Sequence, residues 1–422
     1  MRSNPTAPRS VLVSGIGIAG PTLAYWLTVH GFKITLVEIA PHLRTEGYLI
    51  DFWGRGYDIA ERMGILSEIH RRGFNIKELR LVNSHGRRVG GFNTDVLRSS
   101  TKGRYVSISR GQLASIIYEN LQGTCEILFG DSLIKIDQDE RLVHVEFEHS
   151  KPRHFDLVVG ADGLHSRVRK LVFGKEDRFE KYLGYMVAAF RVDGYSPRDE
   201  DVYVSYSVPG KQVARFAMRD DQTMFLFVFA DRRGHYIQSL GTDPKEILRA
   251  EFGDAGWECR EILDAMESCQ EIYFDRVSQI RSDTWSQGRV CLLGDAAFCP
   301  SLLAGQGSAL AMIGAYVLAG ELSQAPDQPQ KAFQRYEQTL RPFITKKQDA
   351  AVNFSASFAP KTHFGIFLRN LITKVFNLPF IPELAMGPSL LDRIDLPQYP
   401  VFRNNGSGSS VVDCGFGQAA PD

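Results

Sequence analysis

Ser10-Val-Leu-Val-Ser14-Gly15-Ile16-Gly17-Ile18-Ala19-Gly20-Pro-Thr-Leu-Ala-Tyr-Trp26-Leu27 reads as a buried strand that turns on glycines into a helix. The strand half is an apolar, β-branched run of the kind found in parallel sheets. Gly31 stops the helix, and Lys33-Ile-Thr-Leu-Val-Glu38 supplies a second strand, which completes a βαβ unit. Gly15 makes the tight turn. Gly17, with Ile18 and Ala19 after it, brings backbone N–H groups to a pyrophosphate at the helix N-terminus, and Gly20 lets the helix pack close to the strand. Glu38 ends the second strand, where a carboxylate accepts hydrogen bonds from an adenosine ribose. This unit predicts dinucleotide binding without separating FAD from NAD.

Outside that unit, composition excludes several classes. At 422 residues the chain has room for two or three domains, and 49 basic residues balance 49 acidic ones. No net field draws it to nucleic acid or an anionic membrane. Six cysteines fall without a C-x-x-C pair, which predicts neither zinc nor a disulfide framework and points to a reducing cytoplasm. No apolar run approaches the length of a membrane span, and no Ser-His-Asp order or phosphate-binding Walker loop occurs. No metal site is expected.

Two further strand-to-turn stretches lie downstream. Phe155-Asp-Leu-Val-Val-Gly-Ala-Asp162-Gly163-Leu-His-Ser166-Arg-Val-Arg169 is a buried strand entering an Asp-Gly turn and a helix. Gly288-Arg-Val-Cys-Leu-Leu-Gly294-Asp295 is another, continuing through Phe298, Pro300 and Leu302 to Gly305-Gln306-Gly307. A long helix over 308–322 follows. Asp295 at the end of a parallel strand stands where such folds place ligand groups, and Gly305 and Gly307 open a helix whose positive end favours negative charge.

With these three stretches in order, the chain resembles the class A flavoprotein monooxygenases of the aromatic-hydroxylase fold, nearest the branch of tetracycline-inactivating enzymes. Asp162, Gly163, Ser166 and Arg169 match that family's D-G-x-x-S-x-x-R segment; Gly294, Asp295, Ala296, Ala297, Gly305, Gln306 and Gly307 match its G-D-A-A…G-Q-G segment. Arg110, in Arg110-Gly-Gln-Leu113, matches an arginine lying against FAD. Asp51, in Tyr48-Leu-Ile-Asp51, matches a cofactor contact, and Arg44 an arginine assigned to NADPH.

The resemblance implies a discontinuous Rossmann-like α/β FAD-binding domain over 1–75, 100–180 and 276–350. An inserted, mainly antiparallel substrate sheet over 76–99 and 181–275 follows from it, with a helical cap over 351–396. It also implies that NADPH or NADH reduces FAD, that O₂ adds to the reduced ring as a peroxyflavin, and that one oxygen passes to a polycyclic aromatic or polyketide-like substrate. Asp295 would hold the ribityl chain, and the N–H groups of Gly307, Ser308 and Ala309 the flavin ring. The chain departs from the pattern in carrying Phe298 for the usual His or Tyr, Leu302 for Pro, and Ala309 for a polar residue. A flavin oxidase or reductase of the same fold and a ligand-sequestering flavoprotein are the alternative readings. No catalytic acid or base is identifiable.

Between the second and third stretches, Tyr185–Val192, Val202–Val208, Gln212–Arg219 and Thr223–Ala230 read as antiparallel strands. Phe225, Phe227 and Phe229 share one face, either as core or as the lining for a flat apolar substrate. Met218, Pro300 and Leu302 are further candidates to line that pocket. Residues 331–350 read as a helix. Residues 363–380 are amphipathic and fit a cap, an oligomer contact or an interfacial helix; contact with a membrane is not expected, and a monomer or homodimer is. After Pro397 the composition predicts a disordered tail over 397–422.

Overall fold

The computed structural model describes residues 9–45, 47–121, 123–231, 243–376, 394–403 and 410–412. The opening apolar run is the strand Ser10–Ser14, parallel to Lys33–Glu38 on one side and to Leu157–Gly160 on the other. Glu126–Phe129 extends this sheet beyond Lys33–Glu38. Val290–Leu292 extends it beyond Leu157–Gly160, and Ser286–Gln287 closes that edge antiparallel. The three sequence signatures therefore sit on three adjacent strands, and their turns emerge at one end of the sheet. Val11, Leu12, Val158, Val159 and Leu292 are fully buried, and Val143, Val145 and Phe155 of the antiparallel strands Val143–Phe147 and Arg153–Phe155 share their core. The helices Ala19–Val29 and Gly307–Gln324 pack together on this sheet.

A second sheet has seven strands. Its order is Tyr273–Ile280, Glu180–Asp193, Gln222–Ala230, Lys211–Ala217, Val202–Val208, Glu78–Val82 and Arg88–Asn93. All neighbours are antiparallel except Val202–Val208 with Glu78–Val82. Tyr273–Ile280 carries this sheet past residue 275, so residues 276–280 belong to it and not to the nucleotide fold as the sequence suggested.

The alternation along Gln222–Ala230 divides its side chains between two environments. Phe225, Phe227 and Phe229 are fully buried against Phe190 and against Phe252, Ile262 and Leu263 of the helices Pro244–Phe252 and Cys259–Ala265. This corrects the reading of those rings as a substrate lining: they are the core under the sheet. The opposite face carries Met224, Leu226 and Val228. It meets Tyr48 and Leu49 at one end and Leu302, Leu303 and Ala359 at the other.

The helix Pro329–Phe358 runs beyond the 331–350 expected. Next comes His363–Val375, with Thr362 Oγ1 accepting from Gly365 N at 3.0 Å as its cap. It rests on Arg88–Asn93: a Cβ on Gly90 would lie 2.9 Å from Asn370 O, and Thr373 Oγ1 accepts from Gly91 N at 3.0 Å. Phe364, Phe367, Leu368, Leu371 and Ile372 stay exposed. The amphipathic reading of 377–380 lies outside the described residues. In the tail expected to be disordered, Val401–Arg403 and Ser410–Val412 pair as an antiparallel ribbon, and 404–409 and 413–422 lie outside the described residues.

One ionisable cluster ties the two sheets together. His165, in the turn of the second signature, meets Glu176 through Nδ1 at 2.6 Å and Asp275 of the seven-stranded sheet through Nε2 at 3.1 Å. Arg276 and Arg169 also approach Glu176. The hydrogen bond to Asp275, then the charges of Asp275 and Glu176, raise the His165 pKa from 6.5 to about 9 against the opposing effect of burial. A raised folded pKa gives stabilisation that is complete below 6.5 and lost as pH rises through about 9. The melting temperature is expected to decline over that window, and less so in His165→Gln; equal slopes in the two proteins would refute the linkage.

Candidate functional site

At the ends of the three central strands the backbone forms a cradle. Gly15 has φ +106°, and a Cβ there would stand 2.5 Å from Ala161 O and 2.8 Å from Asp162 Cα. On Gly20 a Cβ would strike the carbonyl of Gly15. Gly17, by contrast, faces open space bounded by Arg110 Nη2, 3.7 Å from where its Cβ would be. The helix Ala19–Val29 starts without a side-chain cap or an acidic residue in its first turn, so its leading N–H groups are left for a ligand. Glu38 closes the rim: its Oε2 accepts from Ile16 N at 2.9 Å and its Oε1 from Ala40 N at 3.1 Å.

Arg110 begins the helix Arg110–Glu119, which Ser109 caps through Gln112 N at 3.1 Å. Its guanidinium has no hydrogen bond or ion pair among the described residues. Burial opposes its charge, but Tyr48 and Asp295 nearby outweigh this and hold its pKa above the ordinary value. Asp295 is itself pushed upward by burial, with Arg110 and a hydrogen bond from Cys299 opposing. Across from Asp295, its Oδ1 lies 3.6 Å from where a Cβ on Gly307 would be. Gly17, Arg110, Asp295 and Gly307 thus border one concavity, and the helix Gly307–Gln324 enters it without a side-chain cap. An unpartnered cation over open glycines and two uncapped helix starts fit a dinucleotide's phosphates and an anionic ring.

Asp51, Trp53, Gly305, Gln306, Ala309 and Leu310 line a small cavity beside this concavity. Burial raises the Asp51 pKa; hydrogen bonds from Ser107 (2.6 Å) and Tyr105 (2.5 Å) to its Oδ1 oppose the shift. Ala309 has a packing reason to be small. A Cβ on Gly56 would lie 2.7 Å from Ala309 Cβ, so the helix Gly54–Arg62 and the helix Gly307–Gln324 touch at this pair. Ser308 stands half-buried between Gly307 and Ala309.

Other expected residues lie elsewhere or act differently. Asp162 directs its carboxylate to its own helix: Ser166 Oγ (2.5 Å), Arg167 N (2.8 Å) and Val168 N (3.0 Å) donate to it. Its Cα lies against the glycine turn, 2.8 Å from where a Cβ on Gly15 would be. Arg44 is exposed, on a loop that Arg191 holds through Thr45 O at 3.2 Å and Gly47 O at 3.4 Å. Met218 is buried with Ile76, Phe216 and Met224 on the cofactor side of the second sheet. Pro300 is buried, and Leu302 packs beside Val187, Val228 and Val277.

A clamp on the third signature was not legible in the sequence. Gln279 Nε2 donates to Pro300 O (2.8 Å) and Gln348 O (2.7 Å), while Gln348 Nε2 donates to Ile280 O (2.7 Å) and Cys299 O (3.1 Å). Two buried amides from distant segments hold the loop just before Ser301, whose φ is +114°. Isolated glutamines carry no pattern that would reveal this.

The model of a family described as an FAD binding domain matches residues 9–351. A flavin-dependent monooxygenase from an unknown prokaryotic organism is 35% identical over 399 residues, covering 92% of this chain and 98% of that protein. The crystal structure of the tetracycline destructase Tet(55) superposes with a TM-score of 0.78 at 31% identity, covering 93% of this chain and 99% of that one. That of Tet(51) gives 0.76 at 30%, covering 93% and 100%. With a cradle that fits FAD and a match spanning both sheets, the chain belongs to the FAD-binding family of flavin-dependent monooxygenases, and it is an FAD-dependent enzyme of that kind.

Proposed function

We propose that the enzyme uses NADPH or NADH to insert one atom of O₂ into a flat polycyclic aromatic or polyketide-like molecule, with tetracycline-type compounds among its substrates. The observation that carries this reading is that Leu226, Tyr48 and Leu302 stay only partly buried on the apolar face opposite the phenylalanines, beside buried Met218, Met224 and Val228. Such a surface buries a large flat molecule by hydrophobic contact. The likeness to two tetracycline destructases supports the same substrate class.

FAD, when bound, supplies electron transfer from the nicotinamide and activation of O₂. The chain's own residues bind, orient and exclude water. Backbone N–H groups at Gly17, Ile18 and Ala19 hold the pyrophosphate beside Arg110, and Glu38 the adenosine ribose. Asp295 orients the ribityl chain, Asp51 borders the ring, and the N–H groups of Gly307, Ser308 and Ala309 favour negative charge on it. No side chain is assigned as acid or base. An electron-rich ring needs none to accept oxygen.

The test mixes the FAD-loaded protein anaerobically with NADPH, with and without tetracycline, and follows flavin bleaching. Aeration and mass spectrometry then look for substrate gaining one oxygen atom. Absence of reduction under every condition would sink the proposal; reduction without oxygenated product would turn it toward an oxidase or reductase. Arg44→Ala is expected to raise KM for NADPH by roughly tenfold, the scale of one charge-assisted contact, with bound FAD unchanged. Loss of FAD from that variant would refute the nicotinamide assignment. We place the enzyme in a reducing cytoplasm. Cys125, Cys259, Cys269, Cys291 and Cys299 are free thiols, and among the described residues no helix is long and apolar enough to cross a membrane.

A further inference from the structure

Arg369 belongs to the helix His363–Val375, yet its guanidinium turns away from the exposed apolar side of that helix. Nη1 donates to Ser207 Oγ at 3.1 Å, Phe358 O at 3.1 Å and Gln212 Oε1 at 3.4 Å; Nε and Nη2 reach Asn370 Oδ1 at 3.4 and 3.2 Å. Every one of these acceptors is neutral. No carboxylate pairs with Arg369 among the described residues, and burial alone lowers its pKa to about 10. A half-buried cation hydrogen-bonded only to dipoles still lacks the counter-charge that offsets desolvation.

Its partners place it on the cofactor-facing side of the second sheet. Ser207 and Gln212 are register partners, and Gln212 also pairs with Val228. Val228 and Phe358 belong to the cluster that includes Leu302. On the same face, two residues from Ser207 along its strand, Ser205 is 1% exposed and its hydroxyl has no hydrogen-bond partner. A buried orphan hydroxyl is costly unless a ligand satisfies it. The apolar face proposed for the substrate therefore carries, on one side, an unneutralised guanidinium and an unpartnered hydroxyl.

We propose that Arg369, with Ser205, Ser207 and Gln212, forms an oxyanion subsite of the substrate pocket. The preferred substrate is then a flat apolar molecule with an ionised oxygen on one edge: a carboxylate, a phenolate or the enolate of a β-dicarbonyl. This rests on the substrate pocket proposed above and narrows its chemistry. The anion supplies the charge that Arg369 lacks, and the neutral acceptors orient the guanidinium toward it.

Two probes of equal shape separate the ideas: anthraquinone-2-carboxylate and anthraquinone-2-carboxamide, each measured by equilibrium dialysis against the FAD-loaded protein. The wild type is expected to bind the carboxylate at least about tenfold more tightly, on the scale of one charge-assisted hydrogen bond. Arg369→Gln is expected to abolish that preference while holding the carboxamide within about twofold, and Arg369→Lys to restore part of it. Equal loss of both probes in Arg369→Gln would show a helix anchor and overturn the subsite. So would a preference that survives the substitution, or a wild type that does not discriminate. A wild type that binds neither probe would instead remove the flat-aromatic pocket, and the subsite with it.

Discussion

Gly15→Ala is expected to purify as a folded but nearly colourless protein, with FAD bound at least roughly 100-fold more weakly, about 3 kcal/mol. Two costs combine. At φ +106° an L-residue is strained, by about 1–2 kcal/mol. The new methyl would also stand 2.5 Å from Ala161 O and 2.8 Å from Asp162 Cα, which are backbone atoms of the second signature. Neither side can retreat easily: Gly15 N donates to Val37 O at 2.7 Å, and Ala161 N to Ser14 O at 2.8 Å. The turn must shift instead, carrying the N–H groups of Gly17, Ile18 and Ala19 off the phosphate position. Gly31→Ala is the control, since Gly31 has φ +83° but open space around its Cβ. That variant is expected to lose about 1 kcal/mol of stability and keep its FAD. Flavin-fluorescence titration decides the matter; a Gly15→Ala affinity within threefold of wild type would falsify the steric account.

The same pair of glycines explains why the fold was legible. Strand, turn and helix at 10–29 follow from local rules: an apolar β-branched run, a backbone conformation suited to glycine, and close packing that excludes a side chain. The period-two pattern at 222–230 is equally local, and it correctly puts three phenylalanines on one face. Which face looks toward the flavin depends on where the helices 244–252 and 259–265 dock, and no periodicity in the strand encodes that. Asp162 shows the same limit within a motif, because its residue type is readable but its carboxylate is satisfied by the start of its own helix. Residues 276–280 went to the wrong sheet because a strand leading toward the third signature looks alike in either setting. Arg369 and the Gln279–Gln348 clamp were invisible for a further reason. Each contact joins segments remote in sequence, and neither residue type announces a partner.

Arg169 is where local motif and long-range assembly meet, and Arg169→Met is expected to cost about 2–5 kcal/mol. The side chain is 1% exposed. Its Nη2 donates to Leu164 O at 2.6 Å within the second signature, and its Nη1 donates to Ala296 O at 2.9 Å in the third. Methionine fills similar volume but leaves two carbonyls without donors, so the loss comes from polar groups and not from a cavity. For a chain of this length that corresponds to a fall in melting temperature of roughly 2–6 °C. Burial lowers the Arg169 pKa, while Glu176 and Asp162 work to keep the charge; Arg169→Lys keeps that charge but reaches fewer acceptors and should fall between the two. Because the guanidinium joins two walls of the cradle, Arg169→Met should also bind FAD more weakly, so a given concentration of FAD should raise its melting temperature by less than that of wild type. A variant that melts within a degree of wild type would show that the two signatures hold their geometry without it. A large loss of stability accompanied by an FAD-induced rise equal to that of wild type would make Arg169 a residue of the core alone, with no part in shaping the cofactor site.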